Sequence, residues 1–294
     1  MKFSKNKSSY DEITQRNFGV YSKEDQKKLR SARITIVGVG CDGGMDAYIL
    51  ARMGIGHIKL IDFDVNEYSN LNRQPASFYD SIGKKKVEVA KIEFSRFNPF
   101  IEIEAVDAKL TEENAENLLK GSDVCIQGMD SMLGRIIFHR ATKKLGIPAV
   151  TMTGQPPYRN FISTLLPSGP TYEELFGINF VIGKSLTPEI IKQIETLKYE
   201  RGKHAASRST LKDWIKEYQE EKAGWGITPE RAYITSVFQV NEVVRIILGK
   251  TPQAVAPRAI ISDIDGLEEF GLNNDVKVTV LTPPNKKNWD YKLF

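Results

Sequence analysis

Residues 33–62 read RITIVGVGCDGGMDAYILARMGIGHIKLID and carry the strongest structural signal of the chain. This stretch opens with a β-branched run and continues with Gly38, Gly40 and Gly43, which form the pattern G-x-G-x-x-G. A stretch of helical character follows, and a second apolar run ends at Asp62. Strand, glycine turn, helix and strand in this order predict one βαβ unit of a parallel sheet.

The alternation of strands and helices continues downstream of this unit. Further strands are predicted over 101–106, 123–127 and 148–152, and helices over 84–97, 112–120 and 135–145. We therefore predict an α/β fold, with a doubly wound, Rossmann-like and mostly parallel sheet that carries helices on both faces. Two later apolar runs, over 259–264 and 276–281, predict antiparallel strands that join the sheet last.

Changes in composition divide the chain into four regions. They are a polar N-terminal helical arm over 1–30, a core with the glycine turn over 31–167, a charged helical insertion over 168–227, and a C-terminal helix with strands over 228–294 that completes the same domain. Ser22 is expected to cap a helix in the arm. The insertion shows helical stretches over 188–200 and 209–222 without strand alternation, so we interpret it as a lid that selects the substrate.

The bulk composition excludes several classes of protein. A net charge of +4 and a hydrophobic content of 41% are typical of a globular chain and demand neither disorder nor nucleic-acid binding. The two cysteines, Cys41 and Cys125, form no Cys-x-x-Cys pair, so no zinc is expected. The N-terminus lacks a signal-peptide core and no apolar run reaches the roughly 18 residues of a membrane span, so we expect a cytoplasmic protein.

The glycine turn predicts a phosphate site. Its backbone N–H groups can approach a phosphate closely while the following helix N-terminus adds positive potential. Asp62 ends the second strand about twenty residues later, where a carboxylate binds a ribose hydroxyl. These features fit NAD as well as ATP, so an NAD-dependent oxidoreductase stays open at this point.

The segment after the second strand favours ATP. Residues 62–74 are dense in carboxylate, amide and guanidinium groups, among them Asp64 and Arg73. Lys86 follows near the start of a predicted helix, although a helix N-terminus disfavours cations. A lysine there is explained if it reaches a bound anion, and Arg73 and Lys86 together could hold a triphosphate. The alternative is a polar surface loop with a solvated helix face.

Asp130 follows the strand predicted over 123–127 and is expected at the same edge of the sheet. Mg²⁺ prefers one or two carboxylates together with phosphate oxygens and water, so Asp130 is predicted to be a magnesium ligand. The alternative is that this carboxylate caps the helix that begins near Ser131.

The order of these motifs resembles the ThiF/MoeB/HesA family, the bacterial relatives of ubiquitin-activating enzymes. The resemblance covers roughly residues 14–166, where G-x-G-x-x-G, D-x-D, S-N-x-x-R-Q, G-x-x-K-V-E and a strand-terminal Asp follow one another. Its specific part is the segment SNLNRQ with the lysine downstream, because the glycine loop alone is shared with other nucleotide-binding proteins.

The resemblance implies a role for each matching position. Asp62 would hold the adenosine ribose, and Asp64 would lie close to the nucleotide and the metal. The nucleotide would also contact the glycine loop and the phosphate path, which comprise Gly38, Gly40, Cys41, Gly43, Asn70, Arg73, Gln74 and Lys86. Asp130 would bind Mg²⁺.

The resemblance also implies a homodimer. The family has an arginine near its N-terminus that reaches the γ-phosphate of the ATP in the partner subunit, and Arg16 occupies the matching place. The alternative is an ordinary surface arginine.

The chain departs from the family in three respects. Cys41 replaces the usual fourth glycine of the loop and Asp42 adds a negative charge beside it; we expect Cys41 to be structural. No cysteine follows Cys125, so the thioester-forming cysteine of full ubiquitin-activating enzymes is absent from its usual downstream place. The Cys-x-x-Cys pairs that bind zinc in many relatives are also absent.

The expected activity is an ATP- and Mg²⁺-dependent adenylyltransferase. It would activate a carboxylate as an acyl-adenylate and release pyrophosphate, with Arg73, Lys86, Asp130 and Arg16 as the catalytic set. The carboxylate could belong to the C-terminus of a ubiquitin-like protein, a peptide or a small metabolite. The alternatives are a tRNA threonylcarbamoyl-adenosine dehydratase-like enzyme, the NAD-dependent oxidoreductase, and an inactive binding module whose only support is Cys41 with Asp42.

Overall fold

The computed structural model of the chain describes residues 7–155, 159–207 and 209–263. The helices are α1 (Lys7–Ile13), α2 (Lys23–Ser31), α3 (Cys41–Met53), α4 (Lys86–Phe97), α5 (Ala115–Leu119), α6 (Met132–Leu145), α7 (Tyr172–Leu175), α8 (Pro188–Ala206), α9 (Lys212–Gln219) and α10 (Pro229–Ile247). The strands are β1 (Arg33–Val37), β2 (His57–Ile61), β3 (Glu102–Val106), β4 (Val124–Gln127), β5 (Ala149–Gln155), β6 (Arg159–Leu165) and β7 (Ile260–Asp263). Short 3₁₀ turns occur at Gln15–Asn17, Tyr68–Asn70 and Tyr79–Ser81.

These strands form a single sheet in the order β3-β2-β1-β4-β5-β6-β7. The first five are parallel, whereas β6 runs antiparallel to β5 and β7 runs antiparallel to β6. The predicted doubly wound sheet with antiparallel late strands is thereby confirmed. The strand predicted over 276–281 lies outside the described residues.

The strand β6 was not predicted from the sequence. Its inner part is fully or nearly fully buried although it contains Ser163 and Thr164, and such polar residues hide the apolar pattern of a buried strand. Both hydroxyls have partners, because Ser163 Oγ donates to the carbonyl of Arg258 (2.8 Å) and Thr164 Oγ1 donates to Glu242 (3.0 Å). Hydrogen bonds to the following segments therefore make a polar strand tolerable inside the protein.

Helix boundaries were predicted to within a few residues for most elements. Ser22 caps α2, where its hydroxyl accepts from the Asp25 N–H (3.0 Å) and Asp25 accepts from the Ser22 N–H (3.1 Å), so the predicted cap is confirmed. The two helices of the charged region differ more: α8 continues to Ala206, and α9 covers only Lys212–Gln219. No helix among the described residues combines the length and the apolar character that a membrane crossing requires.

Two apolar cores cover the faces of the sheet. On one face α3, α4 and α10 contribute Leu50, Phe94 and Val243, which are buried with side chains from β1, β2 and β4. On the other face α6, α7 and α8 pack together through residues such as Phe138 and Ile194. The start of the charged region is thus part of this second core.

The carboxyl ends of β1 and β4 are held together by glycines. Gly38 has a φ of +90°, which favours glycine, and its backbone lies directly against Gly128 after β4. A Cβ on Gly43, in the first turn of α3, would lie 1.9 Å from the Gly38 carbonyl oxygen. The backbone segments at Gly38, Gly43 and Gly128 can therefore approach one another this closely only because none of the three residues has a Cβ.

We expect Gly43→Ala to destabilise the chain by about 3 kcal/mol or more, since the new methyl group overlaps backbone that can move only with the turn. Urea denaturation measures the free energy of unfolding. The matched control is Gly224→Ala, because a Cβ at Gly224 meets no atom within 4 Å. Similar losses in the two variants would contradict this account of the turn.

Candidate active site

Asp62 joins the glycine turn to the segment after β2. One carboxylate oxygen accepts from the Val39 N–H (2.6 Å), and the other accepts from the Asp64 N–H (2.8 Å). Asp62 is buried, with 8% of its surface exposed to solvent. In this structure Asp62 therefore fixes the backbone around the predicted nucleotide site.

Lys86 and Asp64 form an ion pair at the start of α4, with Nζ 3.0 Å from Oδ2. The Lys86 side chain is only 9% exposed, whereas the Asp64 side chain is 49% exposed. The Lys86 N–H also donates to the Asp64 carbonyl (3.1 Å), which fixes the start of the helix. A buried cation thus lies on the segment that Asp62 ties to the glycine turn, with a half-exposed carboxylate as its partner.

The segment between β2 and α4 places Gln74 beside Gly40, where a Cβ added to the glycine would lie 3.7 Å from the Gln74 amide nitrogen. Arg73 is partly exposed, and one guanidinium nitrogen donates to the Ser69 carbonyl (2.7 Å) and to Asn72 Oδ1 (2.8 Å). Asn70 is buried, and its Oδ1 accepts from the Glu67 N–H (3.0 Å). Asn70 therefore shapes the segment, whereas Arg73 and Gln74 lie at or near the glycine turn.

Cys41 links the same segment to α3. Its Sγ donates to the Arg73 carbonyl at 3.3 Å. Burial, with the nearby Asp42 charge, raises the pKa of the Cys41 thiol well above its usual range. A thiol held in its protonated form is a poor nucleophile, so the geometry favours the structural role expected for Cys41.

Asp130 lies after β4 and is exposed. The cap of α6 is Ser131, whose hydroxyl accepts from the Gly134 N–H (3.1 Å). Capping therefore does not account for Asp130, and its carboxylate stands at the same edge of the sheet as the glycine turn.

Two charged groups of this edge were not predicted as site residues. Arg135 donates from Nε to the Met129 carbonyl (2.8 Å) and from an NH group to Thr153 Oγ1 (3.1 Å), which spans the ends of β4 and β5. Burial raises the pKa of Asp42 to about 6, and the charges of Arg135 and Arg73 oppose that shift. A cation in the first turn of α6 is the same signal that pointed to Lys86 and could have identified Arg135.

The model of the ThiF family matches residues 13–274. The chain belongs to the ThiF family. Two curated relatives of this ThiF-family chain are the SAMP-activating enzyme E1 of Haloferax volcanii, 33% identical over 52% of the chain, and the molybdopterin-synthase adenylyltransferase of Haemophilus influenzae, 33% identical over 52%. The matches cover 56% and 63% of these relatives, so the chain spans a little over half of their length.

Solved structures show the same fold at low sequence identity. A structure of PaaA is 23% identical with a TM-score of 0.68, covering 91% of this chain and 84% of that one. Escherichia coli MccB with ATP is 20% identical with a TM-score of 0.65, covering 87% and 69%. The E. coli tRNA N6-threonylcarbamoyladenosine dehydratase TcdA is 21% identical with a TM-score of 0.60, covering 84% and 98%.

Arg16 of this ThiF-family chain lies away from the other site residues. It is exposed in the 3₁₀ turn Gln15–Asn17, and the neighbouring Asn17 donates to the Met53 carbonyl (3.0 Å) at the end of α3. The glycine turn stands at the opposite end of α3, whose 13 residues give a length of about 20 Å. The site of the same subunit therefore does not include Arg16.

The donor set suits a metal that arrives with phosphates. In the described part of the chain, no three His, Cys, Asp or Glu side chains gather in a way that could hold a metal ion. Mg²⁺ takes one or two carboxylates and completes its coordination with phosphate oxygens and water. The exposed carboxylate of Asp130 fits that role.

We expect Asp62→Asn to lower the free energy of unfolding by about 1–3 kcal/mol, because an amide NH₂ would leave either the buried Val39 N–H or the partly buried Asp64 N–H without an acceptor. Urea denaturation and hydrogen exchange at the Val39 amide measure the effect. The control is Asp123→Asn: the exposed Asp123 accepts from the Arg33 N–H (2.8 Å) at the other end of β1, where water can replace it. Equal losses in both variants would argue against the proposed role of Asp62.

Proposed function

We propose that this chain is a cytoplasmic, homodimeric adenylyltransferase that uses ATP to activate a substrate carboxylate as an acyl-adenylate. The observation that carries the proposal is that the buried Lys86 ammonium pairs with Asp64, whose backbone Asp62 ties to the glycine turn. The family membership and the names of the curated relatives support the same reaction.

The reaction needs no protein nucleophile and no general base. A carboxylate is already ionised at pH 7, so its oxygen can attack the α-phosphorus of ATP directly. A bond to the acyl oxygen forms, the bond to the bridging oxygen breaks, and pyrophosphate leaves with the electron pair. Negative charge moves toward the leaving group, where Lys86 and Arg73 would stabilise it by fixed positive charge.

Asp62 would contact the ribose, and Gln74 with the glycine turn would line the path of the phosphates. For Asp62 this requires that nucleotide binding shares or replaces a hydrogen bond that it now makes to the Val39 or Asp64 N–H. Asp130, with Asp64 nearby, would hold Mg²⁺, which supplies positive charge beside the phosphates when it is bound.

The substrate that we propose is the carboxylate of a small protein or of a peptide. One relative is named a SAMP-activating enzyme and another a sulfur carrier protein adenylyltransferase, and MccB has been solved with MccA. We assign substrate selection to the charged region over 168–227, because the end of this region reaches the crossover segment between β2 and α4. Asn72 in that segment donates to the Ile227 carbonyl (3.3 Å).

The dimer would complete each site with Arg16 of the partner subunit. The separation of Arg16 from the glycine turn within one subunit supports this arrangement, because a residue at the far end of α3 can contribute only to a neighbour's site. The exposed side chains of Phe18 (66%) and Val20 (76%) beside it would be covered by such an interface.

We expect ATP–pyrophosphate exchange with one class of carboxylate from a panel of ubiquitin-like proteins, short peptides, small acids and threonylcarbamoylated tRNA. Arg73→Ala, Lys86→Ala and Asp130→Ala should each lower the rate by about 10²–10³-fold, since each removes charge stabilisation from the transition state. The matched control is Asp80→Ala, an exposed carboxylate of the same crossover segment. Near-normal exchange in the Asp130 or Arg73 variant, or protection against heat by NADH and not by ATP with Mg²⁺, would refute the proposal.

The contribution of Arg16 across the dimer predicts complementation between inactive variants. Arg16→Ala and Lys86→Ala should each be nearly inactive alone. After the subunits are mixed and exchanged, half of the dimers are mixed and each mixed dimer keeps one intact site. About a quarter of the wild-type exchange rate should therefore return. Absence of recovery, with subunit exchange verified by native mass spectrometry, would contradict action in trans.

A further inference from the structure

A buried polar seam lies between α3 and α10, directly behind the glycine turn. We define it by Asp42 and Asp46 of α3 and by Ser236 and Gln239 of α10. Ser236 Oγ donates to the Asp42 main-chain oxygen (3.1 Å), which fixes the contact between the helices. About one turn further along each helix lie Asp46 and Gln239, and both residues are 0% exposed.

The seam contains hydrogen-bond acceptors without donors. Four buried oxygens of the seam have no hydrogen-bond partner among the described residues: Asp42 Oδ1, both carboxylate oxygens of Asp46, and Gln239 Oε1. The Ser236 hydroxyl has a single proton, which it donates to the Asp42 carbonyl and which also lies within reach of the Asp46 carboxylate. The Gln239 amide nitrogen reaches the Gln127 carbonyl (3.5 Å). The facing sides of α3 and α10 therefore carry more hydrogen-bond acceptors than donors.

The charge of Asp46 has no counterion in the seam. Arg135 and Arg73 act on Asp42, whereas the charged group that acts on Asp46 is Asp42 itself, another carboxylate. Burying a carboxylate without a partner costs several kilocalories per mole. A species that supplies positive charge must therefore accompany Asp46 when it is ionised.

A proton, a water molecule or a metal cation could occupy the seam. The three differ in how many unpaired oxygens they contact and in whether they neutralise the charge of Asp46. A proton on one Asp46 oxygen removes the charge and can donate a hydrogen bond to one further oxygen, but it leaves the remaining acceptors unpaired. A water molecule donates two hydrogen bonds but leaves the charge in place. A metal cation neutralises the charge and contacts several oxygens at once, and carboxylate, amide and hydroxyl oxygens are the ligands that hard cations prefer.

We propose that the seam binds a hard cation of the Na⁺, K⁺, Mg²⁺ or Ca²⁺ class through the carboxylates of Asp46 and Asp42. Gln239 Oε1 and a lone pair of Ser236 Oγ serve as neutral ligands. This site differs from the magnesium that we assign to Asp130, because its oxygens are buried between two helices. Its cation ties the first turns of α3, which carry the glycine turn, to α10.

The test is thermal unfolding of the full chain without ATP, after treatment with a chelator. Chlorides of Na⁺, K⁺, Mg²⁺ and Ca²⁺ are compared with choline chloride at equal ionic strength. The bound cation should raise Tm by about 2 °C at tenfold its Kd, since it binds the folded state only. Choline should give no such rise.

Matched variants assign that shift to the seam. Asp46→Asn has nearly the same shape and should stay folded but lose the cation-specific rise, whereas Asp213→Asn, an exposed carboxylate on α9, should keep it. Asp130→Ala should also keep it, which separates this site from the metal that accompanies ATP. Should Asp46→Asn not fold, Gln239→Met should weaken the cation affinity by at least about tenfold in equilibrium dialysis with the metal alone.

The proposal is overturned if no cation gives more stabilisation than choline, or if Asp46→Asn and Gln239→Met keep the full response. Stabilisation by acidification alone, without a cation effect, would assign a proton to Asp46 and would equally overturn it. Neither result bears on ATP–pyrophosphate exchange, so the proposed function stands or falls separately.

Discussion

The site depends on one carboxylate that accepts two backbone N–H groups. Through Val39 and Asp64, Asp62 connects the turn after β1 with the segment after β2, and the glycine contacts connect that turn with β4. Three parallel strands therefore end in one fixed piece of backbone. Lys86 reaches the edge because its helix begins from the same segment, where its N–H bonds the Asp64 carbonyl. The charged side chains of Asp62, Asp64 and Lys86 are therefore attached to backbone whose relative position is fixed.

The sequence predicted this part of the molecule well because its signals are local. A β-branched run, three glycines and a terminal carboxylate specify a βαβ unit within thirty residues, and Lys86 was conspicuous because a cation is disfavoured at a helix start. What escaped prediction depends on distant partners. The strand β6 can contain polar residues because the Ser163 hydroxyl donates to the Arg258 carbonyl and the Thr164 hydroxyl donates to Glu242. Arg258 is almost a hundred residues away in the sequence. The polar seam could not be predicted either, because Ser236 and Asp42 are far apart in the sequence and come into contact only in the folded chain.

The charged region has two parts that differ in burial. Its first part contributes Tyr172, Ile178 and Ile194 to the core below α6. Arg140 of α6 binds this part with three donors, to Glu173 and to the carbonyls of Val181 and Lys184, so charged residues here anchor backbone. The later part differs, since no residue of α9 is buried, and the rings of Trp214, Tyr218 and Trp225 contact one another.

The ion pair between Lys86 and Asp64 has a consequence for the proposed reaction. Because Asp64 is half exposed, a phosphate that approached Lys86 would compete with a carboxylate that already neutralises it. The protein would thus carry its own displaceable counterion, and the affinity for nucleotide would be the difference between two ion pairs rather than the whole of one. The same carboxylate would pair with the ammonium again as pyrophosphate departs. It would thereby assist product release, which limits the rate of many enzymes.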